Sequence, residues 1–274
     1  MILRCWLSGL ALAWGGIVAA HAMDVQRDVP YGTDAKQRMD VYLPSAAHAA
    51  PVIMMVHGGA WMFGDKASPG VVEPKAAHWT QAGYVFVSID YRMLPQAAPF
   101  VQAEDVADAL VYVQKHAAAW GADPARVVLM GHSAGARLVA LLSSSPAIAT
   151  ARGAQRWLGT VSLDSGAIDV PGIMTSPHAR LFDRAFGSDP AQWRQVSPLD
   201  RLGGDALPIL LVCSSKRLES CPHNQAYASK AQGLGVRASV LPEPLTHAQI
   251  NATLGEAGGY TGAVDAFLRG LGLP

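Results

Sequence analysis

The chain is poor in charge and poorer still in cysteine. Only 15% of its 274 residues are Asp, Glu, Lys or Arg, and 21 basic residues face 21 acidic ones, so the net charge is zero. Sparse, balanced charge builds no basic face, and no nucleic-acid partner is expected. Three cysteines and nine histidines form no zinc-like cluster, and no glycine-rich run has the form of a phosphate cradle. Neither a metal nor an organic cofactor is expected. Beyond the N-terminus no apolar stretch is long enough to span a bilayer. Internal repeats, low-complexity tracts and domain linkers are also missing.

The first residues read as a targeting segment. Arg4 supplies a positive start, Trp6 to Ala20 is apolar apart from Ser8 and its glycines, and Ala20-His21-Ala22 is a small-x-small cleavage site. A cleaved leader over 1–22 is expected, with an uncleaved anchor as the alternative. The expected location is periplasmic or secreted, with no stable membrane insertion after cleavage. Cys5 leaves with the leader. Cys213 and Cys221 remain, an even pair close in sequence that reads as one disulfide, or else as two free thiols.

What is present is a deep core. Half of all residues are hydrophobic. Pro51–Val56, Tyr84–Ile89, Leu158–Leu163 and Leu207–Val212 are apolar runs of the kind buried on both faces of a sheet, and Val236–Leu241 is a last strand. Met39–Pro44 alternates like an edge strand stopped by proline. Ala76–Ala82, Asp105–Ala119 and Gly262–Leu271 are helical. Strands alternating with helices predict an α/β fold with a mostly parallel central sheet flanked by helices, as a single domain over 23–274. The stretch 164–205 is longer than a crossover needs and carries Phe182, Phe186 and Trp193. A cap or pocket insertion is expected there.

The chain is organised around Val127–Leu142. An apolar strand meets Gly131-His132-Ser133-Ala134-Gly135, and Leu138, Leu141 and Leu142 follow at helical spacing. G-x-S-x-G between a strand and a helix is a nucleophile elbow, which presents the serine at the N-terminus of the helix. A serine nucleophile needs a base, an acid to orient that base, and fixed donors for the oxyanion. The donor loop is His57-Gly58-Gly59-Ala60-Trp61, after the strand ending at Val56. The N–H groups of Gly59, Ala60 and Ala134 are the expected oxyanion donors, and His57 is expected to brace the loop. The base is expected after the last strand, where His247 stands. His223 lies on the wrong loop, and His132 is expected to point away from the face of the serine.

His57-Gly-Gly-Ala-Trp, Asp90-Tyr91-Arg92, Gly131-His-Ser-Ala-Gly and Thr246-His247 together resemble the α/β-hydrolase superfamily. Within it they resemble the HGGG-type serine esterases: the hormone-sensitive-lipase-like carboxylesterases and the feruloyl/acetylxylan-esterase and kynurenine-formamidase group. The resemblance covers essentially all of 23–274. It departs at the third glycine of the donor loop, which is Ala60 here, and at the acid. The family pattern puts an aspartate four residues before a proline in the loop after the seventh strand, and this position is Leu218. The resemblance therefore implies Glu219, the neighbouring carboxylate, with Asp164 and Asp169 after the sixth strand and Glu243 near His247 as rivals. It implies a serine carboxylesterase acting on small neutral esters, with Ser133, His247 and Glu219 catalytic. The alternatives are an arylformamidase-type amidase and a non-catalytic binding protein of the same fold. A small-molecule ester is the expected partner.

Overall fold

A computed structural model describes residues 23–274. The expected leader over 1–22 lies outside the described residues. Eight strands form one sheet: β1 (Asp24–Pro30), β2 (Arg38–Leu43), β3 (Ala50–Val56), β4 (Val85–Ile89), β5 (Ala122–His132), β6 (Gly159–Leu163), β7 (Ile209–Ser214) and β8 (Ala238–Glu243). The spatial order is β1-β2-β4-β3-β5-β6-β7-β8. β1 pairs antiparallel with β2, and β2 antiparallel with β4. The remaining ladders are parallel. This is the α/β-hydrolase fold.

The helices are α1 (Pro69–Gln81), α2 (Pro99–His116), α3 (Ala134–Ser144), α4 (Ala147–Thr150), α5 (Val170–Met174), α6 (Arg180–Phe186), α7 (Pro190–Val196), α8 (Pro198–Arg201), α9 (Ser220–Gly233), α10 (His247–Ala252) and α11 (Gly259–Arg269). The continuous apolar runs are explained by helices on both faces of the sheet. In β3, Val52, Met54 and Val56 point into one core with Val106 and Leu110 of α2 and Leu138 of α3. Ile53 and Met55 point into the other, with Trp79 of α1 and Val264, Phe267 and Leu268 of α11. Each such side chain, withdrawn fully from water, contributes about 1.5–3 kcal/mol before entropy is counted. No helix among the described residues is long and apolar enough to cross a membrane.

Two local expectations fail for stated reasons. Met39–Leu43 is not an edge strand, because β1 covers it. The mostly exposed DVQRDVP sequence of β1 hides its strand character, and the buried Asp40 of β2 accepts from Arg27 and from the Asp28 N–H. Helix α1 begins at Pro69 rather than near Ala76 and contains Pro74. A proline there leaves the Gly70 carbonyl without its helical donor. The Lys75 ammonium supplies one instead, at 3.0 Å.

Candidate active site

Ser133 sits where β5 ends and α3 begins, at φ 55° and ψ −114°. That left-handed backbone is costly for a residue with a Cβ, about 1–3 kcal/mol. The surrounding packing enforces it. A Cβ on Gly135 would strike the backbone carbonyls of Val56 and His57, so only glycine lets α3 close onto β3. The Ser133 N–H donates to Leu163 O at 2.9 Å, tying the elbow to β6.

His247 opens α10, whose start is fixed by a capping box between Thr246 and Gln249. Its Nε2 lies 2.9 Å from Ser133 Oγ. Its Nδ1 lies 2.6 Å from Asp164 Oδ2. Asp164 follows β6, has φ 55° and is fully buried. Oδ1 of Asp164 accepts from the Ser214 N–H at 2.8 Å and from Ser220 Oγ. Oδ2 also accepts from Arg217 Nη1 at 2.9 Å. Burial pushes this carboxyl upward, but the bonds from His247, Ser220, Ser214 and Arg217 outweigh it and hold Asp164 well below the usual carboxylate range.

The carboxylate implied by the resemblance, Glu219, is not the one the structure brings to His247. Glu219 is 54% exposed on its side chain and accepts from Arg217 Nη2 at 3.1 Å, not from His247. It is held by the neighbouring cation, while the turn at Asp164 aims a carboxylate at the imidazole. The other rivals are engaged elsewhere. Asp169 caps α5 by accepting from the Gly172 N–H at 2.9 Å. Glu243 lies at the end of β8 and makes no bond to His247; its backbone carbonyl accepts from the Ser215 N–H at 2.9 Å. His223 Nδ1 is bonded to Gly166 O at 2.8 Å.

His132 also departs from expectation. It lies beneath His247, with ring centroids 4.5 Å apart, and Nε2–H donates to His247 O at 3.0 Å. Burial above all, with repulsion from any proton on the His247 ring, pushes it down to about 3, so it stays neutral and supports His247. His57 is packed under the donor loop. It stacks on Tyr91 with centroids 4.6 Å apart, Nδ1–H donates to Gly58 O at 2.7 Å, and Tyr91 Oη donates to His57 O at 3.0 Å.

The donor loop is strained where it faces the serine. Gly59, Ala60 and Trp61 all have positive φ, at 122°, 51° and 63°. The N–H groups of Gly59, Ala60 and Ala134 have no backbone acceptor among the described residues. Ser133, His247, Gly58–Trp61, Leu181 and Phe182 line one cavity of ≈ 490 Å³. Leu181 and Phe182 come from α6, inside the long stretch 164–205. Cys213 and Cys221 form a disulfide that brackets the loop carrying Arg217 and Glu219. No group of three or more His, Cys, Asp or Glu suited to a metal occurs among the described residues.

The BD-FAE family model matches residues 39–230. The chain belongs to the BD-FAE family. Among curated relatives, "Esterase LipC" of Mycobacterium tuberculosis is 30% identical over 210 residues, covering 70% of this chain and 51% of that protein. "Isoprenylcysteine alpha-carbonyl methylesterase ICME" of Arabidopsis thaliana is 35% identical over 117 residues, 42% of this chain and 27% of that protein. The chain thus spans between about a quarter and about half of the length of these curated relatives. Solved structures share the fold of this chain. "Truncated form of carbohydrate esterase from gut microbiota" superposes with a TM-score of 0.76 at 18% identity, covering 90% of this chain and 96% of that one. "Thermogutta terrifontis esterase 2 phosphonylated by sarin" gives 0.75 at 19% identity, covering 92% and 96%.

Proposed function

We propose that this BD-FAE protein is a serine carboxylesterase that hydrolyses small, neutral carboxylic esters, with Ser133, His247 and Asp164 as its catalytic residues. The observation that carries the reading is the unbroken path from Ser133 Oγ through His247 to Asp164 Oδ2, 2.9 and 2.6 Å in its two contacts. His247 Nε2 takes the serine proton as Oγ attacks the ester carbonyl. The carbonyl oxygen becomes an oxyanion, met by the N–H groups of Gly59, Ala60 and Ala134. His247 then gives its proton to the departing alkoxide, and a water activated by the same imidazole cleaves the acyl-enzyme. Asp164 stabilises the imidazolium and holds its Nδ1–H tautomer. The names of the relatives as esterases support the ester over the amide.

The stretch 164–205 is proposed to be a pocket insertion on a single domain over 23–274, because its Leu181 and Phe182 wall the cavity. Placement outside the reducing cytosol is proposed from the disulfide together with the leader-like sequence. Hydrolysis of p-nitrophenyl esters from acetate to octanoate tests the function. The parent turns over the short members, and Ser133→Ala falls to background, a loss of about 10⁶ in kcat. Turnover surviving in Ser133→Ala, or a parent active only on formamides, contradicts the reading.

A further inference from the structure

Glu219 stands one residue away from Asp164 in space, with Arg217 between them. Arg217 Nη2 donates to Glu219 Oε1 at 3.1 Å. Nη1 donates to Asp164 Oδ2 at 2.9 Å and to Asp164 O at 3.2 Å. The same Nη1 is 3.0 Å from His247 Nδ1. Nη1 carries two hydrogens, and the two oxygens of Asp164 use both. A guanidinium is a donor only. His247 Nδ1 accepts from it only if the ring proton has moved to Nε2, where it faces Ser133 Oγ and disables the base. Arg217 thus has two options: to support the acid or to compete with it for the imidazole.

We infer that Arg217 is a positioning residue, anchored by Glu219, that grips Asp164 Oδ2 and keeps its own hydrogens off His247 Nδ1. The inference rests on the serine-hydrolase reading above. The surroundings fit this role. The disulfide between Cys213 and Cys221 closes the loop that carries Arg217, Glu219 and Ser220, and Ser220 Oγ holds the other oxygen of Asp164. Both carboxylate oxygens of the acid are therefore held from one pinned loop. A fork of N–H groups spans Glu219 and Asp164 together, which a single ammonium does not.

The test combines steady-state kinetics with ¹⁵N NMR of the His247 ring in the purified protein. The variants are Arg217→Met, Arg217→Lys, Glu219→Gln and the Arg217→Met/Glu219→Gln pair, with thermal melts to confirm folding. Arg217→Met is expected to lower kcat about tenfold, the scale of one charge-assisted hydrogen bond, with KM almost unmoved. Arg217→Lys recovers only part of this. Glu219→Gln alone costs about threefold and adds nothing on the Arg217→Met background, because it acts through Arg217. The ring spectrum shows a protonated Nδ1 in the parent and a rising Nε2–H fraction in Glu219→Gln. Additive losses, parent-like ring signals in Glu219→Gln, or a kcat unchanged by Arg217→Met overturn the inference. So does a loss of orders of magnitude in Glu219→Gln alone, which returns that residue to the role of acid. The ring signals are read without turnover, so failure of the esterase reading is distinguishable from failure of this one.

Discussion

The two sides of the site are built differently. On the proposed reading, the nucleophile side is local: β5, the turn at Ser133 and α3 are consecutive, and their geometry is dictated by glycines within a few residues. The acid side is assembled from three separate places, since Asp164 and His247 are 83 residues apart and Arg217 arrives on a third loop. A local device is fixed by steric exclusion and is written in a short motif. An assembled one is fixed by competition among polar partners, and the winner depends on backbone turns that no motif records.

This contrast sets the expected order of effects. The largest belongs to the nucleophile side, where Gly135→Val drives a branched side chain into the Val56 and His57 carbonyls. The cost is about 3 kcal/mol or more, seen as a steep fall in melting temperature and soluble yield. On the acid side, Cys213→Ser with Cys221→Ser removes a short closed loop, worth about 2–3 kcal/mol in the chain-entropy picture. Chemical denaturation measures it, and kcat falls further than folding alone explains if the loop positions Asp164.

Lys75 of α1, bonded to the helix that His247 opens, makes stability depend on pH. It is fully buried with no carboxylate partner among the described residues, and its Nζ donates to Gly70 O and to Asn251 O on α10. Burial pulls it down to about 7. Between that value and its unfolded value the unfolded chain binds one more proton, so stability rises with pH across roughly 7 to 10, by about 1 kcal/mol per unit. Below 7 the term is flat. Denaturation of Lys75→Met across this range should lack the rise. The smallest effect is Ala60→Gly, which relieves a left-handed alanine and stabilises by about 1 kcal/mol or less; a differential scanning melt reads it.

The central strands and the elbow were legible because burial on both faces leaves unbroken apolar runs, as in β3 and β4. β1 was not, since its exposed DVQRDVP carries charge where a buried strand carries valine. Helices α5 to α8 are only four to seven residues each, too short to display a period. At the site, the serine and histidine of the expected trio come together, and Gly59, Ala60 and Ala134 lie in the same cavity wall. Glu219 does not reach His247. Asp164 and Glu219 are both carboxylates that bond Arg217, and the family pattern points to the loop of the latter. The left-handed turn at Asp164 and the capture of Glu219 by Arg217 reverse that choice, and both are tertiary events.

The rate of Ser133 labelling by a fluorophosphonate tests the central claim most directly, because it needs no substrate. It is followed by mass spectrometry in the parent, Asp164→Asn and Glu219→Gln. The account predicts an adduct on the Ser133 peptide, formed within a few-fold of the parent rate in Glu219→Gln and about 10⁴ more slowly in Asp164→Asn. Slow labelling in Glu219→Gln with a parent-like rate in Asp164→Asn, or an adduct on another residue, contradicts it.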